Sequence, residues 1–165
     1  MSARKRKPLV AVLDWKPAPA SNDGVEIEKQ ILGKTARAKY FLISTEADLT
    51  PEALNADAII LWQNTKVTER VMAKMVNCRV FVRNGVGYDT VDINAAARLG
   101  IPVCNVPDYG TEEVADHAIA LAMAQVRQLF PLNQEAKQLG WKLHIKDKLR
   151  RLSTLTFGIV GLGRI

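Results

Sequence analysis

Residues 78–106 read CRVFVRNGVGYDTVDINAAARLGIPVCNV, and the order of residue types in this stretch decides the fold. The run CRVFVRN (78–84) is rich in β-branched and aromatic residues without a period of two, as a strand buried on both faces requires. IPVCNV (101–106) is a second short β-rich run. Between them Asp92 is placed to cap a helix over 92–99, and Gly100 stands just past its end. Strand, helix and strand in that order form a parallel unit with a right-handed crossover.

The same alternation runs back to the start of the chain. PLVAVLDW (8–15), AKYFLIS (38–44) and DAIILWQ (57–63) are strand-like, with helical stretches over 25–32, near 51–55 and over 68–76. Gly33 closes the first of these helices and Thr68 is placed to cap the last. The reading is therefore α/β: a flavodoxin-like, doubly wound, five-stranded parallel sheet. A chain of 165 residues buries about 70% of its unfolded surface, enough for one such domain and part of another.

Composition narrows the functional classes. Hydrophobic residues at 48% and charged residues at 24% exclude a disordered or fibrous chain. The longest uncharged apolar stretch, 118–124, is far too short for a bilayer span, and the basic start RKRK leads into a strand rather than a signal-peptide core, so a cytoplasmic protein without membrane attachment is expected. A surplus of 23 basic over 17 acidic residues raises the question of nucleic acid. No zinc spacing, RNA-binding aromatic signature or helix-turn-helix pattern accompanies it, and a solvated basic face is the better reading. Cys78 and Cys104 each fall at or inside a strand, which points to packed free thiols rather than a disulfide or metal pair.

In an open parallel sheet, ligands bind beyond the carboxyl ends of the strands. Two segments stand there: Trp62-Gln63-Asn64-Thr65 after the third strand, and Arg83 to Asp89 after the fourth. In the second, Gly85 and Gly87 flank Val86, leaving main-chain N–H groups uncovered, as a nest for a carboxylate requires.

Residues 82–121, VRNGVGYDTVDINAAARLGIPVCNVPDYGTEEVADHAIAL, resemble the substrate-domain signature of the NAD-dependent D-isomer-specific 2-hydroxyacid dehydrogenases, in which G-x-G-x-D-x-V-D leads to A-x-x-x-G-I-x-V-x-N-x-P and V-A-[DE]-H-A. The agreement covers 82–129 and resumes at 157–165, where GIVGLGRI is similar to that family's cofactor turn. DYGTEEVADHA also resembles the branch of the C-terminal-binding-protein corepressors.

The resemblance implies a division into a substrate domain over 1–110 and, over 111–165, a crossing helix, an arm and the first strand and turn of an incomplete NAD-binding Rossmann domain. It implies that the amides of Val86 and Gly87 bind the substrate carboxylate, that Trp62 and Gln63 line the same pocket, and that Val114 contacts the nicotinamide side. Gly161 and Gly163 match the pyrophosphate turn, with Arg164 and Ile165 offering amides; the third glycine of that turn would fall on the next position. The cofactor implied is NAD, with NADP open, because the discriminating position lies outside the chain. The substrate class is a 2-hydroxy or 2-oxo acid, and the complete protein is expected to be a homodimer. The family's catalytic Arg, His and acid all lie beyond residue 165, so the chain alone is expected to be inactive. A non-catalytic small-acid-binding or corepressor-like dimerising module is the alternative.

The crossing helix is expected over 112–129, apolar nearly all round and buried between layers, with Thr111 as its cap and Glu112 and Glu113 at its positive end. A strand is expected over 157–160. His117 follows Asp116, but adjacent helix residues point in different directions, so packing is favoured over catalysis; His144 reads as a surface residue. Left uncovered, Ile119, Met123, Trp141 and the strand over 157–160 would favour association.

Overall fold

The computed structural model describes residues 6–15, 24–62, 66–139 and 149–165. Its chain divides into two compact units, Met1–Pro107 and Asp108–Ile165.

The first unit holds five strands: β1 (Leu9–Trp15), β2 (Arg37–Ile43), β3 (Ala58–Leu61), β4 (Phe81–Arg83) and β5 (Val103–Cys104). All pair in parallel in the order β2-β1-β3-β4-β5. This is the order of a flavodoxin-like doubly wound sheet, the fold class read from the sequence. Helices α1 (Glu26–Leu32), α2 (Pro51–Leu54), α3 (Glu69–Met72) and α4 (Ile93–Arg98) fall between the strands.

Burial explains why the strands lack a period of two. Leu9 through Leu13 are buried at every position, because β1 sits inside the sheet with cover on both faces. Leu9, Ala11 and Leu13 join Ile59, Leu61 and Phe81 in one cluster with Val71, Met72 and Met75 from and just after α3, and with Ala95 and Ala96 of α4. Each fully buried Leu, Ile or Phe there contributes about 1.5–3 kcal/mol relative to exposure. Val10 and Val12, alternating with these residues, are buried outside that cluster, on the opposite face.

Local signals set the helix ends. Thr50 accepts a hydrogen bond from the Ala53 amide at 3.2 Å ahead of Pro51, and Asp92 accepts one from the Ala95 amide at 2.9 Å. Gly33 and Gly100, at φ +52° and +69°, turn the chain out of α1 and α4. Thr68 stands at the N-cap of α3 but makes no capping bond there; its hydroxyl is committed to Glu46.

The second unit departs further from the sequence reading. α5 spans Thr111–Val126, and the chain then turns at Gln128, whose φ is +51°, into α6 (Leu129–Leu139). The single helix expected to run on to residue 129 therefore ends at 126. Its N-cap is Gly110 rather than Thr111, and only Ala124 along it is buried. An all-round apolar composition marks a helix that can be covered, and does not itself supply the cover. Residues 157–160 form no ladder, because an extended segment becomes a strand only when a neighbour takes up its N–H and C=O groups, and none does so among the described residues. Both cysteines are free; Cys78 is buried as expected, whereas Cys104 is exposed at the short edge strand β5. Among the described residues no helix is long and apolar enough to cross a membrane.

Candidate functional site

The segment after β4 turns away from the sheet at Gly85. Asn84 donates its amide to the Leu61 carbonyl at 2.8 Å, the last tie to β3, and Gly85 donates to the Arg83 carbonyl at 2.9 Å. Gly85 is buried at φ +152°, a region open to glycine, and a Cβ there would run into the Arg83 guanidinium. Three successive carbonyls of this bend are then captured: that of Asn84 by Arg83 Nη1, that of Gly85 by the Val106 amide at 3.1 Å, and that of Val86 by Asn105 Nδ2 at 2.8 Å. The amides of Val86 and Gly87 make no hydrogen bond among the described residues, and both residues are exposed. Two adjacent free N–H groups at a bend whose carbonyls point inward can hold one carboxylate.

The bend is braced from behind. Val67 and Val91 form an isolated parallel bridge, the Val67 amide donating to the Thr90 carbonyl at 2.9 Å and the Asp92 amide to the Val67 carbonyl at 3.2 Å. Thr68 is held in turn by Glu46, whose carboxylate accepts from the Thr68 amide, the Thr68 hydroxyl and Arg70. These bonds, the Thr68 hydroxyl first and Arg70 next, hold the Glu46 carboxyl below the usual glutamate range. Among the described residues two buried side-chain atoms lack a partner, Arg83 Nε and Thr90 Oγ1, and they lie on either side of the bend. An open hollow of about 550 Å³ lies beside it, lined by Tyr88, Ile93, Ile101, Val103, Cys104 and Asn105.

The residues singled out in the sequence fall into both units. Val86, Gly87 and Trp62 belong to the first; Trp62 is partly exposed at the end of β3, with its amide on the Leu13 carbonyl at 2.9 Å. Gln63, Asn64, Thr65, Trp141 and His144 lie outside the described residues. Val114, Gly161, Gly163, Arg164 and Ile165 belong to the second unit, all exposed, with Gly161 at φ +111° and the Arg164 side chain paired with Asp108. Among the described residues no ladder precedes the glycines of this turn. His117 is exposed in this chain.

Arg83, Asn105 and Glu46 escaped the sequence reading. Asn105 acts across 19 residues and Glu46 across 22. The available signal was topological: parallel pairing of Val82 with Cys104 sets Asn105, the next residue, beside the segment leaving β4.

The profile of the D-isomer specific 2-hydroxyacid dehydrogenase catalytic domain matches residues 10–156. The chain belongs to this family. It is 36% identical over 147 residues to a D-3-phosphoglycerate dehydrogenase of Synechocystis, an alignment that takes in 86% of this chain and 25% of that protein. The fold superposes on a D-lactate dehydrogenase of Aquifex aeolicus, complexed with NAD and lactic acid, with a TM-score of 0.76 at 24% identity, over 94% of this chain and 45% of the other. An NADPH-dependent glyoxylate/hydroxypyruvate reductase of Sinorhizobium meliloti, in complex with NADP and malonate, gives 0.64 at 28% identity over 96% and 47%. The chain thus spans about a quarter of the curated relative and less than half of the solved ones. These relatives carry dehydrogenase and reductase names and lend no support to the corepressor branch.

Proposed function

We propose that this chain is the acid-binding portion of an NAD(P)-linked oxidoreductase that interconverts D-2-hydroxy and 2-oxo acids. The observation that carries the reading is the pair of uncommitted amides at Val86 and Gly87, on a bend where the carbonyls of Asn84, Gly85 and Val86 are engaged elsewhere. Such a site binds a carboxylate through fixed dipoles, without a charged side chain, and so sets the orientation of the carbon beside it. Trp62 and Gln63 would close the pocket.

A nicotinamide dinucleotide, when bound by the whole protein, would supply the hydride chemistry. In that protein Val114, Gly161, Gly163, Arg164 and Ile165 would contribute to its binding. Relatives in complex with NAD and with NADP leave both cofactors open. We further propose that the 165-residue chain does not turn over, and that two copies of the complete protein pair through its second unit. Exposed Ile119, Leu121 and Met123 on α5 support that pairing.

Titration of the isotopically labelled chain with D-lactate tests the reading. The Val86 and Gly87 amide resonances should move, and methyl lactate, which lacks the carboxylate, should leave them in place. Equal responses to both compounds, or shifts confined to other residues, would overturn it. Stereospecific NADH oxidation by the chain alone with glyoxylate, pyruvate or hydroxypyruvate would refute the proposed inactivity.

A further inference from the structure

We infer that Asn105 is a positioning residue, whose side-chain amide sets the direction of the Gly87 N–H; its bearing on substrate rests on the acid-binding reading above. A trans peptide is planar, so the carbonyl of one residue and the N–H of the next point opposite ways. Asn105 Nδ2 holds the Val86 carbonyl at 2.8 Å. That contact turns the Gly87 N–H to the far side, where both residues are exposed.

The neighbouring peptide is fixed differently. The Gly85 carbonyl accepts from the Val106 main-chain amide at 3.1 Å, a bond that survives change of the Val106 side chain. The peptide between Val86 and Gly87 has no such main-chain partner among the described residues. It ends on a glycine, for which both hands of backbone are accessible, so the peptide can rotate unless something holds it. The side chain of Asn105 is what holds it. β5 ends at Cys104, and the parallel pairing of Val82 with Cys104 delivers Asn105 to the foot of the bend.

Asn105→Ala removes the donor, and Asn105→Asp keeps the shape while presenting an acceptor to a carbonyl. In the ligand-free chain, residual dipolar couplings should show the Gly87 N–H vector reoriented or averaged in both variants, with Val86 N–H little changed. Affinity for D-lactate should fall about tenfold, the scale for one lost orienting hydrogen bond. The thermal midpoint should move by no more than a few degrees. An unchanged Gly87 vector overturns the inference, as does a loss of affinity that merely tracks a general loss of stability. Should either variant fail to fold, the unmodified chain still decides: a scalar coupling across the hydrogen bond from Asn105 Nδ2 to the Val86 carbonyl carbon is expected, and its absence refutes the assignment. If D-lactate fails to move Val86 or Gly87 in the unmodified chain, the acid-binding reading falls while the vector measurement still judges Asn105.

Discussion

Glu46 and Thr68 are joined twice: the carboxylate Oε1 accepts the Thr68 main-chain N–H at 3.0 Å and also its hydroxyl. Arg70 completes the clasp on Oε2 at 2.7 Å. The clasp ties the 3₁₀ turn at Glu46–Asp48, beyond β2, to the segment that braces the candidate site. Because these bonds favour the carboxylate, the folded state binds the proton less tightly than the unfolded one. The stabilisation is therefore present above the ordinary glutamate value of about 4.3 and is lost as pH falls from there through the lower folded value. Glu46→Gln should cost about 1–2 kcal/mol at neutral pH and flatten the acid limb of a stability curve measured by urea unfolding. Parallel curves for the two proteins would contradict this account.

Tyr40 on β2 donates its hydroxyl to Asp14 Oδ2 of β1 at 2.6 Å. Burial first, and the neighbouring carboxylate second, push the phenol up to about 12. A raised value means that the folded state retains the proton, so this contribution is complete below about pH 10 and disappears as pH climbs through 12. Tyr40→Phe should lose about 1 kcal/mol below pH 10 and should show less alkaline destabilisation than the parent. Phenolate absorbance in the near ultraviolet gives an independent check: the step that Tyr40→Phe removes should be centred near pH 12.

What the sequence revealed, and what it hid, follows from the range over which each feature is determined. β1 was legible because Leu9 to Leu13 are apolar without alternation, and only a strand covered on both faces tolerates that. Asp92 and Gly100 were legible as helix ends because their partners lie within four residues. The glycine-flanked bend was legible as a turn, and its free amides follow from that geometry. Asn105 and Glu46 were not, since their roles exist only after the sheet order has set β5 and the loops beside it. α5 is a different case: its apolar residues mark a face that needs cover from outside the helix, and Ile119 and Met123 are exposed, as expected for them when uncovered. The strand expected over 157–160 failed because local propensity cannot provide a ladder partner.

The two thiols should differ sharply in reactivity. Cys104 is exposed at the sheet edge, whereas Cys78 is buried, and that burial pushes its thiol up from the ordinary range. Since the thiolate is the nucleophile, both accessibility and ionisation disfavour Cys78. Aromatic disulfide reagents should label one thiol promptly and the other at least tenfold more slowly, catching up only in denaturant. Cys104→Ser should remove the prompt phase and leave the slow one unchanged; a surviving prompt phase would mean that Cys78 opens to solvent in the native state.

Gly85 is where the fold and the candidate site make the same demand. Its φ of +152° and the Arg83 guanidinium both oppose a side chain at this position. Gly85→Ala should therefore destabilise the chain by about 1–3 kcal/mol, the scale of one residue held in a disfavoured region. The larger effect should fall on function, because the residue that relaxes is the one that sends the Val86 N–H outward. Gly87→Ala supplies the contrast: a Cβ there would approach Asp89 Oδ1 to 3.1 Å, a contact that a shift of a few tenths of an ångström relieves. Measured side by side, Gly85→Ala should abolish the D-lactate response at Val86 while Gly87→Ala weakens it, with the smaller loss of stability in the second. Equal binding by Gly85→Ala and the parent chain would show that the bend does not need this backbone conformation to hold an acid.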